Sequence, residues 1–180
     1  VENTAIMDKL QQRYTVRSVE LSSAVSKEVE LMLLNGVEDS LTLEERNNLG
    51  AYIERGGNLF LAQSQVSADL STQQVTVISS DIFDVISTYG VNLQKNLVLD
   101  KTCGRVNVQQ NMGFIRMAVP MAYPLLPIIR KFNKDEVVVS GLEQVQLFFA
   151  SEIRTDSIPQ DGSVNVSPLM YSSNKSSLMN

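Results

Sequence analysis

Two residues of this sequence, Cys103 and Ser64, are candidate nucleophiles for a hydrolytic reaction. Cys103 follows a predicted strand, Leu97–Leu99, and the neighbouring cations Lys101 and Arg105 favour its thiolate form. Ser64 stands just beyond another predicted strand. A thiol or hydroxyl nucleophile normally needs an adjacent base such as histidine, and the chain contains no histidine. We therefore expect no catalytic residues, with a degenerate hydrolase using Cys103 or Ser64 as the alternative.

The surroundings of Ser64 and the acidic residues add little support for catalysis. Gln63-Ser64-Gln65 lacks the small residues of the strained Gly-x-Ser-x-Gly turn that presents a serine nucleophile. The dense carboxylates are Glu38-Asp39 and Glu44-Glu45, and the second pair is explained by its place at a helix start. A single cysteine forms neither an intramolecular disulfide nor a Cys-rich zinc site. We expect neither a metal nor a cofactor.

The loop after the Leu97–Leu99 strand carries side chains suited to polar recognition. Such side chains either contact a ligand or partner, or brace the loop by hydrogen bonds to backbone groups. Downstream, the apolar segment Met117–Ile129 is either a docking surface or a strap that closes the core, since Met and Tyr suit adaptable interfaces. The candidates for partner or ligand contact are Asp100, Lys101, Cys103, Arg105 and Tyr123.

Composition limits the class of protein. The chain has 180 residues, of which 43% are hydrophobic, as expected for one globular domain. The net charge of −5 argues against nucleic acid as the main partner, although residues 95–134 carry seven basic side chains and one acid. Eleven aromatic residues without tryptophan weaken the alternative of a small-ligand or glycan-binding module. No run of residues in the sequence is long and apolar enough for a membrane helix. The start at Val1 indicates that the chain is a piece of a longer protein.

The elements that position these residues alternate between strand and helix. Val29–Leu34 reads as a buried strand, and a helix begins after Thr42, which can form a capping box with Glu45. Gly56-Gly57 ends that helix before the strand Asn58–Ala62. Shorter strands follow, among them Glu136–Val139. The pattern predicts a three-layer α/β domain with a mostly parallel sheet and a mixed or antiparallel C-terminal part, with the domain over residues 1–155 and a polar extension over 156–180.

Two further segments are less regular. Thr15–Leu21 alternates Val16, Val19 and Leu21 with polar residues, though imperfectly, which predicts a strand. Pro120, Pro124 and Pro127 argue against a regular helix or a central strand within Met117–Pro127.

With these segments in place, the chain resembles the auxiliary component of gliding-motility-type ABC transport systems, the GldG-like family. The ordered set from Leu97 to Pro124 is the most specific part of the resemblance. The matching stretches are Tyr14-Thr15-Val16-Arg17, Glu30 to Gly36, Leu41 to Glu45, Arg55-Gly56-Gly57-Asn58-Leu59, Tyr89-Gly90-Val91, Asn96 to Asp100, Cys103-Gly104-Arg105-Val106, Tyr123-Pro124 and Ser140-Gly141-Leu142.

The resemblance implies a fold similar to flavodoxin and to class I glutamine amidotransferases. It implies a module on the periplasmic side of the inner membrane, anchored by segments outside this fragment. The implied partners are the membrane and ATPase subunits of the same transport system, and the implied role is binding or assembly without turnover. The family supplies no catalytic set, so none is transferred to this chain.

Overall fold

The computed structural model describes residues 4–69, 74–112 and 115–180. In this part of the chain the secondary structure is mixed α and β, with one parallel strand pair and otherwise antiparallel pairs. The three-layer, mostly parallel sheet expected from the sequence stays a prediction. The chain divides into two compact units, the first formed by residues 1–63 and 79–85 and the second by residues 64–78 and 86–180.

Strands outnumber helices among the elements of the described ranges. In chain order the elements are α1 Thr4–Gln11, β1 Leu31–Asn35, α2 Leu43–Glu54, β2 Asn58–Ala62, β3 Val66–Asp69, β4 Gln74–Val77, α3 Ile82–Ser87, β5 Asn92–Leu93, β6 Leu97–Asp100, β7 Cys103–Met112, β8 Ile115–Ile129, β9 Lys131–Phe132, the 3-10 helix Val137–Val139, β10 Val145–Gln146, β11 Ile153–Arg154, β12 Met170–Tyr171 and β13 Ser176–Met179.

The first unit is built around the parallel pair β1–β2 and helix α2. Leu33 is paired with Phe60 in the register of the two strands. Met32 of β1 is buried, as are Leu49 and Tyr52 of α2, so apolar burial holds the helix to the unit's core. The predicted capping box is confirmed, because Glu45 N donates to Thr42 Oγ1 at 3.2 Å and Thr42 N donates to Glu45 Oε2 at 2.7 Å.

The Gly-Gly step after α2 is required by sterics. Gly56 adopts a φ of +89°, which favours glycine. A Cβ on Gly57 would lie 2.4 Å from the ring of Tyr52. The Tyr52 hydroxyl donates to the carbonyl of Asn58 at 2.8 Å. The glycine pair therefore lets the chain turn tightly past a buried aromatic ring into β2.

The second unit is a set of small antiparallel sheets. β10, β8 and β7 form a three-stranded sheet in that order, and β13 pairs with β6. Leu97, Leu126, Ile129 and Val139 are buried apolar residues of this unit. Residues 156–180 contribute β12, which pairs with β9, and β13. The domain boundary at residue 155 stays a prediction.

Four local expectations differ from the structure, and the first is burial along β1, where only Met32 is buried. Thr15–Leu21 has no regular secondary structure, and Val137–Val139 is a 3-10 helix where a strand was expected. β8 passes continuously through the three prolines of the apolar segment. A proline lacks an N–H donor but keeps its carbonyl acceptor, and Pro127 O accepts from Leu147 N at 2.9 Å. At Pro120, β8 has β7 as its one ladder partner among the described strands, so it is an edge strand there.

Candidate functional site

Asp100 is the last residue of β6, and its buried carboxylate accepts hydrogen bonds at both oxygens. Its side chain is 1% exposed. Thr102 N and Ser173 Oγ each donate to Oδ1 at 2.7 Å, and Ser173 N donates to Oδ2 at 2.7 Å. Asp100 also pairs with Ser176 in the β6–β13 register. The carboxylate therefore braces the C-terminal strand of the chain, and its geometry does not suit a surface contact.

The protonation of Asp100 follows from this environment. Burial by itself raises the pKa of the carboxyl, because a low-dielectric interior disfavours charge. The hydrogen bonds from Ser173 and Thr102 stabilise the charged form and outweigh burial, so the pKa of Asp100 lies below its usual value. The residue is ionised at neutral pH.

The other four predicted site residues surround the base of the β7–β8 hairpin. Lys101 is exposed, and Cys103 is half-buried at the start of β7, paired with Pro127. Arg105 is exposed and is paired with Ala122. Tyr123 is half-buried, with its ring edge-on to Phe149 at 6.5 Å between centroids. The hairpin base thus holds two cations, a thiol and an aromatic ring, without the base that a thiol nucleophile needs.

The hairpin beyond this base has one apolar face and one mixed face, on which polar residues pair with alanine or proline. The antiparallel register pairs Val106 with Met121 and Val108 with Val119, and residues directly opposite each other share a face. Val108 is 38% exposed and Met121 is 47% exposed; Met117, further along β8, is 50% exposed. We call Val106, Val108, Val119 and Met121 the apolar hairpin face. The opposite face carries the pairs Arg105–Ala122, Asn107–Pro120 and Gln109–Ala118.

The sequence contains a local signal for one strand of this face. Val106 and Val108 alternate with Asn107 and Gln109, which is the period of a strand with one apolar side. The pairing with the Met117–Ala122 segment could not be predicted from the sequence, because the register of two strands depends on contacts between segments.

An isolated two-stranded hairpin is marginally stable in water. An apolar face that stays exposed on such a hairpin is typical of an interaction surface, because a partner that covers it removes apolar area from water.

The hydroxyl of Ser64, the second candidate nucleophile, is hydrogen-bonded to the hydroxyl of Ser151 and to a backbone carbonyl. Its Oγ donates to the carbonyl of Phe149 at 2.7 Å and lies 2.8 Å from Oγ of Ser151. Gln65 N donates to the same Ser151 hydroxyl at 3.1 Å. Phe149 has a φ of +52°, an unusual backbone conformation for an aromatic residue. These contacts anchor the strained residue to the start of β3.

The acidic residues that the structure describes do not form a metal site. In the described ranges, no group of three or more His, Cys, Asp or Glu side chains is placed to hold a metal ion. Asp81 lies 3.7 Å from Arg46 as an ion pair. No helix among residues 4–69, 74–112 and 115–180 has the length and apolar character needed to cross a membrane.

The whole chain matches one protein family. The family is described as an ABC-type uncharacterized transport system, and its model covers residues 2–180. The chain belongs to this family, which supports an auxiliary role in ABC transport. No match was found among curated proteins or among solved structures.

Proposed function

We propose that this chain is a non-catalytic, extracytoplasmic domain of an auxiliary protein of a gliding-motility-type ABC transport system. The domain has an amidotransferase-like fold and lies on the periplasmic side of the inner membrane, anchored by segments outside residues 1–180. It acts by binding the membrane subunit of the same system, and the ATPase subunit is contacted only through other parts of the assembly.

The observation that carries this proposal is the apolar hairpin face. Exposed valine and methionine side chains follow one side of a ribbon whose other side is mixed, with polar residues on β7 and small residues or proline on β8. Methionine is flexible and polarisable, so it adapts to a partner surface. The family match supplies the partner class, an ABC transport system. Arg105 is exposed at the hairpin base on the other face of the ribbon, and its charge favours orientation of an approaching partner.

The experiment compares the two faces of the same hairpin. A photo-crosslinking amino acid replaces Met121 in one variant and Ala118 in another, and each is produced in cells together with the membrane and ATPase subunits of the system. We expect a cross-link from position 121 to the membrane subunit and a much weaker one from position 118. Equal cross-linking from both positions, or none to this subunit, would overturn the proposal.

A second experiment tests the non-catalytic part of the proposal. Cys103→Ala removes the thiol, and we expect substrate transport in cells to stay within about twofold of the unaltered protein. Labelling with a thiol-reactive probe should be slow, because Cys103 is half-buried and paired with Pro127. Loss of transport at unchanged melting temperature, together with rapid labelling, would favour the hydrolase alternative.

A further inference from the structure

The first unit contains a groove of about 1290 Å³ whose lining residues all belong to that unit. One wall is residues 14–22, the other is β1 with Val29 and Glu30, and Met7 and Leu10 of α1 contribute as well. Small-molecule pockets usually measure about 300–1,000 Å³. The groove is therefore large enough for a peptide segment.

The free edge of β1 lies along this groove. Asn58 N donates to Glu30 O at 3.2 Å, so the parallel ladder to β2 uses the backbone of Glu30 and every second residue after it. Leu31 and Leu33 consequently direct their N–H and C=O groups to the edge opposite β2. In the described part of the chain, β1 has only β2 as a neighbouring strand. An edge of this kind is completed by another extended strand.

The side chains at this edge are apolar and exposed. Leu31 is 54% exposed and Leu33 is 40% exposed, while Met32 between them is 5% exposed. Tyr14 on the opposite wall is 66% exposed. Parallel strands are normally covered on both faces, so this arrangement suits a strand with apolar side chains at every second position.

The charge of the groove is acidic. Its charged lining residues are Glu20, Glu30 and Glu45, with Arg17 as the one lining cation. Arg17 is already paired with Glu28 at 3.2 Å. The unit as a whole carries twelve acidic and six basic side chains. Complementarity therefore favours a cationic occupant.

We propose that the groove binds an extended segment of another protein in which apolar residues alternate with lysine or arginine. The segment adds to β1 as a third strand, its backbone bonding to Leu31 and Leu33. Its apolar side chains cover these two leucines, and its cations lie near Glu20 and Glu30. The wall formed by residues 14–22 stays in place, because Asn48 Nδ2 donates to Leu21 O at 2.8 Å and Arg17 is paired with Glu28.

The test uses the 180-residue chain and a synthetic peptide of seven residues that alternates lysine and valine. Binding is measured by isothermal titration, and the amide hydrogen exchange of Leu31 and Leu33 is followed by NMR. A peptide that alternates glutamate and valine is the control for charge. Glu20→Lys and Glu30→Lys reverse two exposed charges of the groove, and Glu54→Lys makes the same change on α2 outside the groove.

We expect the lysine peptide to slow exchange at Leu31 and Leu33 at least tenfold and the glutamate peptide to leave it unchanged. Each groove variant should weaken binding about fivefold, since an exposed ion pair is replaced by repulsion. Glu54→Lys should change it by less than twofold.

Three outcomes would overturn the proposal. The first is equal binding by all three variants, and the second is unchanged exchange at Leu31 and Leu33 with the peptide bound. The third is slow exchange at both leucines without any peptide, because residues 15–21 of the chain itself would then occupy the edge. None of these outcomes bears on cross-linking from the hairpin, so the two proposals fail independently.

Discussion

Replacing Asp100 by asparagine should destabilise the second unit of the protein while changing the side-chain volume very little. In the native structure two donors converge on Oδ1 and one on Oδ2, each at 2.7 Å. The asparagine amide oxygen can still accept from Thr102 N and Ser173 Oγ. Its NH₂ group, however, replaces Oδ2 and faces the N–H of Ser173, so two donors meet where a hydrogen bond existed.

The magnitude follows from the number and charge of these bonds. A hydrogen bond to a charged group contributes about 1.5–3 kcal/mol and a neutral one about 0.5–1.5 kcal/mol. Asp100→Asn loses one charged bond and weakens two others, while asparagine costs less to bury than a carboxylate. We expect the free energy of unfolding to fall by about 3 kcal/mol at pH 7.

The loss should also depend on pH in a defined direction. Because the folded-state pKa of Asp100 is lowered, its ionisation stabilises the fold above the unfolded pKa of about 3.9. That contribution is lost as the pH falls through the lower folded-state pKa. The difference in stability between the unaltered protein and Asp100→Asn should therefore be constant from about pH 5 to 7 and should shrink below about pH 4.

The assay is urea unfolding at several pH values, with amide hydrogen exchange of β6 and β13 as a local measurement. Asp135→Asn makes the same chemical change at an exposed carboxylate and should alter stability by less than about 0.5 kcal/mol. Equal stability of Asp100→Asn and Asp135→Asn at pH 7 would refute the claim that hydrogen bonds to the Asp100 carboxylate stabilise the second unit. A difference that stays constant down to about pH 2.5 would refute the role assigned to ionisation.

Three further substitutions test the first unit by thermal or urea unfolding. Gly57→Ala should cost about 1–3 kcal/mol, because its Cβ would lie 2.4 Å from the Tyr52 ring, and a neutral result would show that the ring can move aside. Gly50→Ala, inside α2 with nothing within 4 Å of the new Cβ, should instead stabilise by about 0.5–1 kcal/mol; destabilisation there would contradict the helix assignment. Thr42→Ala should cost about 1 kcal/mol, with Thr42→Ser restoring most of the loss, and an unchanged midpoint would mean that the capping box contributes nothing.

The elements predicted most accurately were those defined by short-range rules. The helix after Thr42 begins at a capping box and ends at Glu54, just before the Gly56-Gly57 step that residue types and spacing indicated. Local hydrogen bonds and backbone sterics decide such boundaries, so a few adjacent residues carry the information. The strand expected over Thr15–Leu21 has only an imperfect alternation and no ladder, and a strand also needs a neighbour at hydrogen-bonding distance.

By itself, the sequence determined the composition of the protein, the absence of histidine, the strand–helix–strand unit and the resemblance to an ABC transport auxiliary family. Only the tertiary structure decided the roles of the candidate residues. Asp100 became a brace because Ser173, 73 positions away, donates to its carboxylate. The apolar hairpin face arose because β8 pairs with β7 in one register. Both depend on contacts between segments that are distant in sequence, and no local pattern of residue types specifies which of these segments will pack or pair with each other.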